Sequence, residues 1–290
     1  MKNRAKLILL TFSGMLFLSF CSMNTLVIRQ MEPIMLKSSE ALYEEEDLQL
    51  AEQALAANLK LIEGLLKNDP GNQSLLMIAA QGYAGYALGF IEDEDPERAR
   101  VFYLRARDYA LQELRKNEPF RRAEDQDLRT YQNALAAVDK NKVAALFWAG
   151  FAWAGYANLS LQDPAALIAL PKIQRLMDRV QELDPKFFYG AVYLYQGSVY
   201  GMKPPIMGGD PQKALEFFEK HLQVTQGKFL LTYVYLAQYY AAKILDEEKF
   251  DHYLDIVLQT PLEVLPEAKL LNQIAKKKAR RLMGLKDQLF

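Results

Sequence analysis

The sequence predicts an all-α fold: an α-solenoid of tetratricopeptide-like helix pairs, with about four repeats plus extra helices. Three observations support this prediction. Apolar residues recur at helical spacing, Asp-Pro pairs punctuate the chain, and a small residue recurs among aromatic residues. No run alternates at period two for long enough to predict a strand. The chain has 290 residues, 51% of them hydrophobic, which is enough to bury a sizeable core.

Helical spacing is clearest in residues 48–66. Apolar residues that recur every three or four positions lie on one face of a helix, which then packs against the core. The segment therefore predicts an amphipathic helix. Its apolar positions are Leu48, Ala51, Leu55, Leu59, Ile62 and Leu66.

Five Asp-Pro pairs separate the helical stretches of the chain. An Asp side chain caps the first turn of a helix, and Pro fits that turn because its missing N–H would have no partner there. We therefore expect many short helices joined by tight turns. The pairs are Asp69-Pro70, Asp95-Pro96, Asp163-Pro164, Asp184-Pro185 and Asp210-Pro211.

A repeat of about 40 residues is marked by small residues. Gly155, Gly197 and Ala237 are 42 and 40 residues apart, and an aromatic residue lies four positions before each. This spacing approximates the tetratricopeptide signature, in which a small residue lets paired helices approach closely. Gly85 marks an earlier unit. The predicted packing positions are therefore Gly85, Gly155, Gly197 and Ala237, on first helices at 75–91, 143–160, 187–201 and 229–243.

Aromatic residues are concentrated in these first helices, which contain 11 of the 16 tyrosines. The residue two positions before each small residue is always aromatic. Two residues turn about 200° around a helix, so these rings point away from the packing side. We predict that they line a groove for a ligand or partner; the alternative is that they fill ordinary core between layers. They are Tyr83, Trp153, Tyr195 and Tyr235.

The N-terminus predicts export. Residues 1–20 read as a signal peptide, in which Lys2, Arg4 and Lys6 precede an apolar run over 7–20. That run has 14 residues and is shorter than an ordinary membrane span. No later stretch is expected to be apolar enough to span a membrane.

Cys21 is the only cysteine, and it directly follows the predicted signal peptide. Leu18-Ser19-Phe20-Cys21 resembles a bacterial lipobox, although Phe20 departs from the small residue usual there. We predict lipidation of Cys21, with 21–46 as lipid-anchor tether and entering helix and 47–290 as a single helical-repeat domain. The alternative is an unmodified cysteine near the end of a signal.

Catalytic and metal motifs are not found, and we expect neither an enzyme nor a cofactor. His221 and His252 lack a metal-ligand pattern and are expected to be solvated or capping residues. The net charge of −1 gives no reason to expect nucleic acid. A helical lytic transglycosylase with a lone Glu is the remote enzymatic alternative. Basic residues in 276–281 predict a solvated last helix, or one that contacts an acidic partner or bilayer.

An ordered set of segments resembles the TRAP transporter T-component family. The lipobox-like cysteine comes first, and a basic, alanine-containing last helix closes the chain. The segments between them are Leu61–Leu66, Leu75-Leu76, Gly82-Tyr83, Tyr189–Ala191, Gly208–Pro211 and Phe250–Pro261.

The resemblance implies a periplasmic lipoprotein that acts in transport. It implies a homotrimer with a channel through each protomer, bound to the solute-binding P component. The predicted aromatic column would then line a passage for an apolar or amphipathic organic solute. The alternative is a scaffold lipoprotein that organises envelope proteins and carries no solute.

Overall fold

A computed structural model describes residues 24–290 of the protein. The structure is 82% helical, and no strand occurs in this part of the chain. The prediction of an all-α helical-repeat fold is therefore confirmed. The predicted signal peptide and Cys21 lie outside the described residues.

The helices follow one another with short turns. Helix α1 occupies residues 24–43, and two later helices continue into π-helical segments at Ala87–Ile91 and Ala237–Ala241. The predicted first helices coincide with α3, α7, α9 and α11. The other bounds are α2 Leu48–Leu66, α3 Gln73–Tyr86, α4 Pro96–Leu114, α5 Glu118–Ala123, α6 Leu128–Ala136, α7 Val143–Asn158, α8 Pro164–Leu183, α9 Phe187–Met202, α10 Pro211–Thr225, α11 Leu231–Leu236, α12 Glu247–Gln259, α13 Lys269–Gly284 and α14 Lys286–Leu289.

Asp N-caps begin each second helix of the repeat. Asp95, Asp163 and Asp210 accept hydrogen bonds from backbone N–H groups of α4, α8 and α10, and Pro follows each as predicted. The prediction is wrong for the other two pairs. Asp69 lies in the turn before α3, where its carboxylate pairs with Arg29, and Asp184 ends α8.

Helix pairs α3–α4, α7–α8, α9–α10 and α11–α12 stack in chain order. Close approach requires glycine at two of the predicted packing positions. A Cβ at Gly155 would lie 2.6 Å from the ring of Tyr103, and one at Gly197 would lie 2.5 Å from the ring of Phe218. Gly85 instead has no such neighbour within 4 Å, and the fully buried Ala237 begins the second π-helical segment.

Helix α13, near the C-terminus, contacts the segment that precedes α2. The Lys269 ammonium pairs with the Glu46 carboxylate at 2.5 Å, and the Gln273 amide donates to the Glu46 backbone carbonyl at 3.0 Å. Ile274 packs on Gly89, where a Cβ would lie 2.6 Å from its Cδ1 atom. Helix α13 therefore packs against α2 and the π-helical segment that follows α3.

One helix in the described chain, Gln73–Ile91, is long and apolar enough to cross a membrane by length and composition. We expected no stretch after the signal peptide to be apolar enough to span a membrane, and this expectation was wrong for Gln73–Ile91. Its most apolar window is 61% buried, because the helix packs against α2, α4 and α7. A core helix of a folded domain has the same composition.

His221 is fully buried, contrary to the expected solvated or capping role. Its Nδ1 atom donates to the Thr232 hydroxyl oxygen at 2.8 Å, since that hydroxyl donates its own proton to the Phe229 carbonyl at 2.7 Å. Its Nε2 atom has no hydrogen-bond partner. Burial lowers the pKa of His221 to about 3, and the nearby Tyr189 backbone offsets only part of that effect.

Two glycines at equivalent repeat positions should respond oppositely to the same substitution. Gly197→Ala should lower the free energy of unfolding by about 1–2 kcal/mol, because its methyl group meets the fully buried Phe218 ring. Gly85→Ala should leave it unchanged or raise it by up to about 1 kcal/mol through helix propensity. Urea unfolding followed by circular dichroism measures both, and equal destabilisation by the two variants would contradict the packing described.

Stability should fall in acid because of His221. Its folded-state pKa of about 3 lies below the ordinary value of 6.5, so the unfolded chain binds a proton first. The stabilisation is present above about pH 6.5 and is lost progressively as the pH falls towards about 3. Between pH 7 and 5 the wild type should lose about 2 kcal/mol more than His221→Gln, which cannot titrate. Urea unfolding midpoints at the two pH values test this; parallel losses would contradict it.

Candidate functional site

An apolar cavity with a volume of about 130 Å³ lies between α1, α2, α3 and α13. It occurs where Gly85 leaves open space in α3, whereas Gly155 and Gly197 are covered by rings in the later repeats. Aliphatic side chains form most of its wall. The apolar lining residues include Met35, Leu42, Leu55, Leu59, Ile62, Ile78, Phe90, Leu270, Leu271 and Ile274.

The cavity reaches the protein surface on one side. Ser38, Asn58 and Leu61 line it there and are exposed to solvent. No lining side chain is charged. A cavity of this size and composition resembles apolar cavities of about 150 Å³ that bind a single aromatic ring. The arrangement suits a neutral apolar ligand, or the apolar part of an amphipathic one.

Tyr43 connects the cavity to the protein interior. Its hydroxyl oxygen accepts a hydrogen bond from the Gln81 side-chain amide, and both residues line the cavity. Burial raises the pKa of Tyr43 to about 12, so the phenol stays neutral. The Tyr43 ring lies edge-on to the Phe188 ring, with centroids 6.3 Å apart.

An aromatic cluster continues from Phe188 into the core. The Phe188 ring is 4.9 Å from Trp148 and 5.8 Å from Phe147. Phe151 stacks on Phe147 at 5.7 Å, and Phe187 meets Phe147 edge-on at 5.4 Å. Contacts between ring edges and faces of this kind are favourable. The rings therefore connect the wall of the cavity to the buried core at α7 and α9.

The start of α9 has a strained backbone within this cluster. Phe188, Tyr189 and Gly190 have φ values of 45°, 60° and 74°. Residues with bulky side chains rarely adopt left-handed backbone angles. Holding such a residue there costs about 1–3 kcal/mol of folding free energy. Packing holds the segment in place, since Tyr189 contacts Phe229 at 5.3 Å. Strain of this kind is common at binding sites and switch regions.

Two of the predicted groove rings lie against α4. Tyr83 is only 1% exposed; its ring stacks on Tyr109 at 5.9 Å, and its hydroxyl donates to Glu63. Trp153 is partly buried and lies 5.4 Å from the Arg107 guanidinium carbon. Both rings therefore take part in contacts between helices.

The other two rings have polar neighbours. The Tyr195 hydroxyl donates to the Gln174 side-chain oxygen at 3.3 Å. The Tyr235 ring lies 5.4 Å from Tyr239, and burial, followed by the effects of Tyr239 and Glu92, raises the pKa of Tyr235 well above its usual range. The structure thus gives each of the four rings different neighbours. Their role as a groove stays a prediction.

The residues that sequence reasoning missed are those of the cavity and the aromatic cluster. Consecutive aromatics in Phe147-Trp148 and in Phe187–Tyr189 are a visible signal for the cluster. The cavity has no equivalent signal, because its wall joins α1 and α13 from opposite ends of the chain.

The family model for the TRAP transporter T-component matches residues 44–290. The chain belongs to this family. It is also similar to an uncharacterized protein of Treponema pallidum (strain Nichols), with 26% identity over 263 residues, which is 85% of this chain and 81% of the relative. Membership makes the protein an auxiliary component of TRAP transporters, and it confirms the resemblance found in the sequence.

A polar cluster lies directly after the first π-helical segment of this T component. Lys278 of α13 is 8% exposed, and its Nζ atom lies 2.7 Å from Glu92 and 2.8 Å from Asp93. Tyr103 donates a hydrogen bond to Glu92. Burial alone would lower the pKa of Lys278, but the two carboxylates outweigh it and the pKa is raised. The basic last helix therefore has an acidic partner within the same chain.

Residues 24–290 contain no group of three or more His, Cys, Asp or Glu side chains placed to hold a metal ion. Lys278, and Arg281 on Asp93, supply cations to the carboxylates of the polar cluster. The cavity between α1, α2, α3 and α13 is apolar, whereas a second, polar cavity is lined by Glu63, Arg105, Asp108, Tyr109, Gln112 and Arg115. The geometry of the T component therefore suits binding of an apolar group, with ion pairs serving to join its helices.

Lys278→Met should be strongly destabilising, because Glu92 would remain partly buried without its cation and Asp93 would keep only the longer pair with Arg281 at 3.4 Å. We expect a loss of about 3–5 kcal/mol in the free energy of unfolding. The control is Lys277→Met, which breaks the more exposed pair with Glu94 and should cost under about 1 kcal/mol. Guanidinium unfolding followed by tryptophan fluorescence compares them. Similar small losses would rule out the role given to Lys278.

Proposed function

We propose that this T component takes an apolar or amphipathic organic solute into its cavity and exchanges it with the solute-binding P component of a TRAP transporter. The observation that carries the proposal is the uncharged apolar cavity between α1, α2, α3 and α13, which opens to the surface at Ser38 and Asn58. Uncharged polar groups at the mouth, such as Ser38 and Asn58, suit an amphipathic head group.

The protein works in the periplasm, tethered to a membrane by lipid on Cys21. Support for this comes from the predicted signal peptide over residues 1–20 and from the lipobox-like sequence that ends at Cys21. The lipid supplies the membrane contact, and the folded repeats hold the solute and the partner.

The protein acts as a homotrimer. Support comes from the outer face of α1, where Val27, Met31 and Ile34 are exposed at helical spacing. An exposed apolar stripe on a helix favours burial against another surface, and three copies around a threefold axis would cover one another's stripes. The opposite face of α1, with Ile28 and Met35, is buried against the domain.

The scaffold alternative differs in one measurable respect, which is the binding of solute. Indole serves as a ring-sized apolar probe, and saturation-transfer NMR measures its binding. Wild type should bind indole, and Gly85→Leu should weaken binding by about ten-fold or more, because the added side chain fills the cavity.

The matched control is Gly64→Leu, since Gly64 also has no neighbour within 4 Å of an added Cβ but lies on the exposed side of α2. This variant should bind indole like wild type. Absence of binding to wild type, or equal binding to all three proteins, would favour the scaffold that carries no solute.

A further inference from the structure

Two polar side chains interrupt the apolar wall of the cavity at the end of α1. Tyr43, the last residue of α1, and Gln81 of α3 both line the cavity. The Gln81 side-chain amide donates a hydrogen bond to the Tyr43 hydroxyl oxygen. A phenol hydroxyl can also donate its own hydrogen, and an amide oxygen can also accept. Within residues 24–290 neither of these two groups has a further partner, so both are available to a solute.

The other uncharged polar groups of the wall are used differently. The hydroxyls of Ser38 and Ser39 donate to backbone carbonyls one turn earlier in α1, at 3.0 and 3.1 Å. Asn58 lies at the mouth and is exposed to solvent. Among the hydroxyls that line the cavity, Tyr43 is therefore the one whose hydrogen can be donated to a solute.

The Tyr43 hydroxyl is held in place before a solute enters. Its ring lies edge-on to Phe188, with centroids 6.3 Å apart, and Gln81 fixes its oxygen. Burial raises the pKa of Tyr43 to about 12, so the hydroxyl keeps its proton at neutral pH and remains a donor. A donor that is already positioned adds little ordering cost to binding.

Tyr43 is also set back from the mouth of the cavity. Ser38 and Tyr43 are five residues apart on α1, which is about 7.5 Å along a helix. A polar group of the solute that stays at the mouth keeps contact with water, so its binding contributes little selectivity. A polar group beside Tyr43 exchanges water for one specific donor, and a site of that kind discriminates against solutes that lack the group.

The cavity wall also restricts the charge of the solute. No lining side chain is charged, so an ionised group would lose water without meeting an opposite charge. A pure hydrocarbon would leave the Tyr43 hydroxyl hydrogen and the Gln81 oxygen without partners, which costs free energy in an apolar space. The wall therefore suits a neutral solute that carries one hydrogen-bond acceptor on an apolar body.

We infer that Tyr43 is a specificity-determining residue, which selects neutral apolar solutes with a hydrogen-bond acceptor, such as an ether, carbonyl or alcohol oxygen. The inference rests on the proposed function, which makes this cavity the solute site. Tyr43 donates its hydroxyl hydrogen to the acceptor of the solute. Gln81 is a positioning residue, because its amide occupies the Tyr43 oxygen and directs the hydroxyl hydrogen elsewhere.

The test compares two probes of the same shape, anisole and ethylbenzene, which differ by an ether oxygen in place of a methylene group. Titrations of the full chain in detergent, followed by amide chemical shifts in NMR spectra, give Kd for wild type and Tyr43→Phe. Partition of a probe into micelles affects both proteins equally, so it cancels in the ratio of their Kd values. Tyr43→Phe should raise Kd for anisole by about five-fold or more, the loss of one hydrogen bond, and Kd for ethylbenzene by less than about two-fold.

The matched control is Tyr156→Phe, which removes a hydroxyl that donates to Asp163 at 2.8 Å outside the cavity. It should bind both probes within about two-fold of wild type. Absence of binding of either probe to wild type overturns the proposed function and this inference with it. Binding of both probes by wild type, with equal effects of Tyr43→Phe on the two, overturns the role of Tyr43 alone.

Benzonitrile gives a second readout that needs no variant. Its nitrile nitrogen accepts a hydrogen bond and cannot donate one, and its stretching frequency rises when it accepts from a hydroxyl. Infrared spectra of benzonitrile bound to wild type should show this raised frequency. The frequency of benzonitrile in a hydrocarbon solvent would show that no donor meets the solute, and would overturn the inference.

Discussion

The docking of α13 against the end of α3 is the contact on which the rest of the structure depends. Lys278 supplies the cation for Glu92 and Asp93, which follow directly on a helix end that already carries partial negative charge. The same helix contributes Leu270 and Ile274 to the cavity wall. An ion-pair cluster in the second half of α13 thus fixes the position of apolar side chains nearer its start, and the cavity exists because that helix is held there.

Small residues at equivalent repeat positions serve two different purposes. At Gly155 and Gly197 the missing side chain admits an aromatic ring from the neighbouring helix, and the layers close. At Gly85 no ring enters, and the space joins the cavity. Interiors are close-packed, so a void that persists beside a glycine needs rigid walls around it. Here α1 and α13 supply walls that the repeat alone does not have.

The left-handed turn at Phe188–Gly190 links the packing of the repeat to Tyr43 in the cavity wall. Its aromatic side chains face α1 and α7, where Tyr43 and Trp148 lie, while its backbone lies near the buried His221 of α10. Gly190 fits because a Cβ there would lie 3.1 Å from Val224. A strained segment confined between two helix layers has few alternative conformations, and this keeps the Phe188 and Tyr189 rings in one orientation.

The sequence by itself determined the class of the fold, the positions of its paired helices and the family. These depend on signals that can be read along the chain: helical periodicity and Asp-Pro caps lie within one or two helical turns, and the small residues recur at a regular spacing. Tertiary structure decided the rest. Lys278 and Glu92 are 186 residues apart, so no local pattern marks them as partners. The contact of Tyr83 with α4 and the burial of His221 likewise depend on which helices pack against these residues. That choice is made by the packing between helix layers and cannot be read from the local sequence.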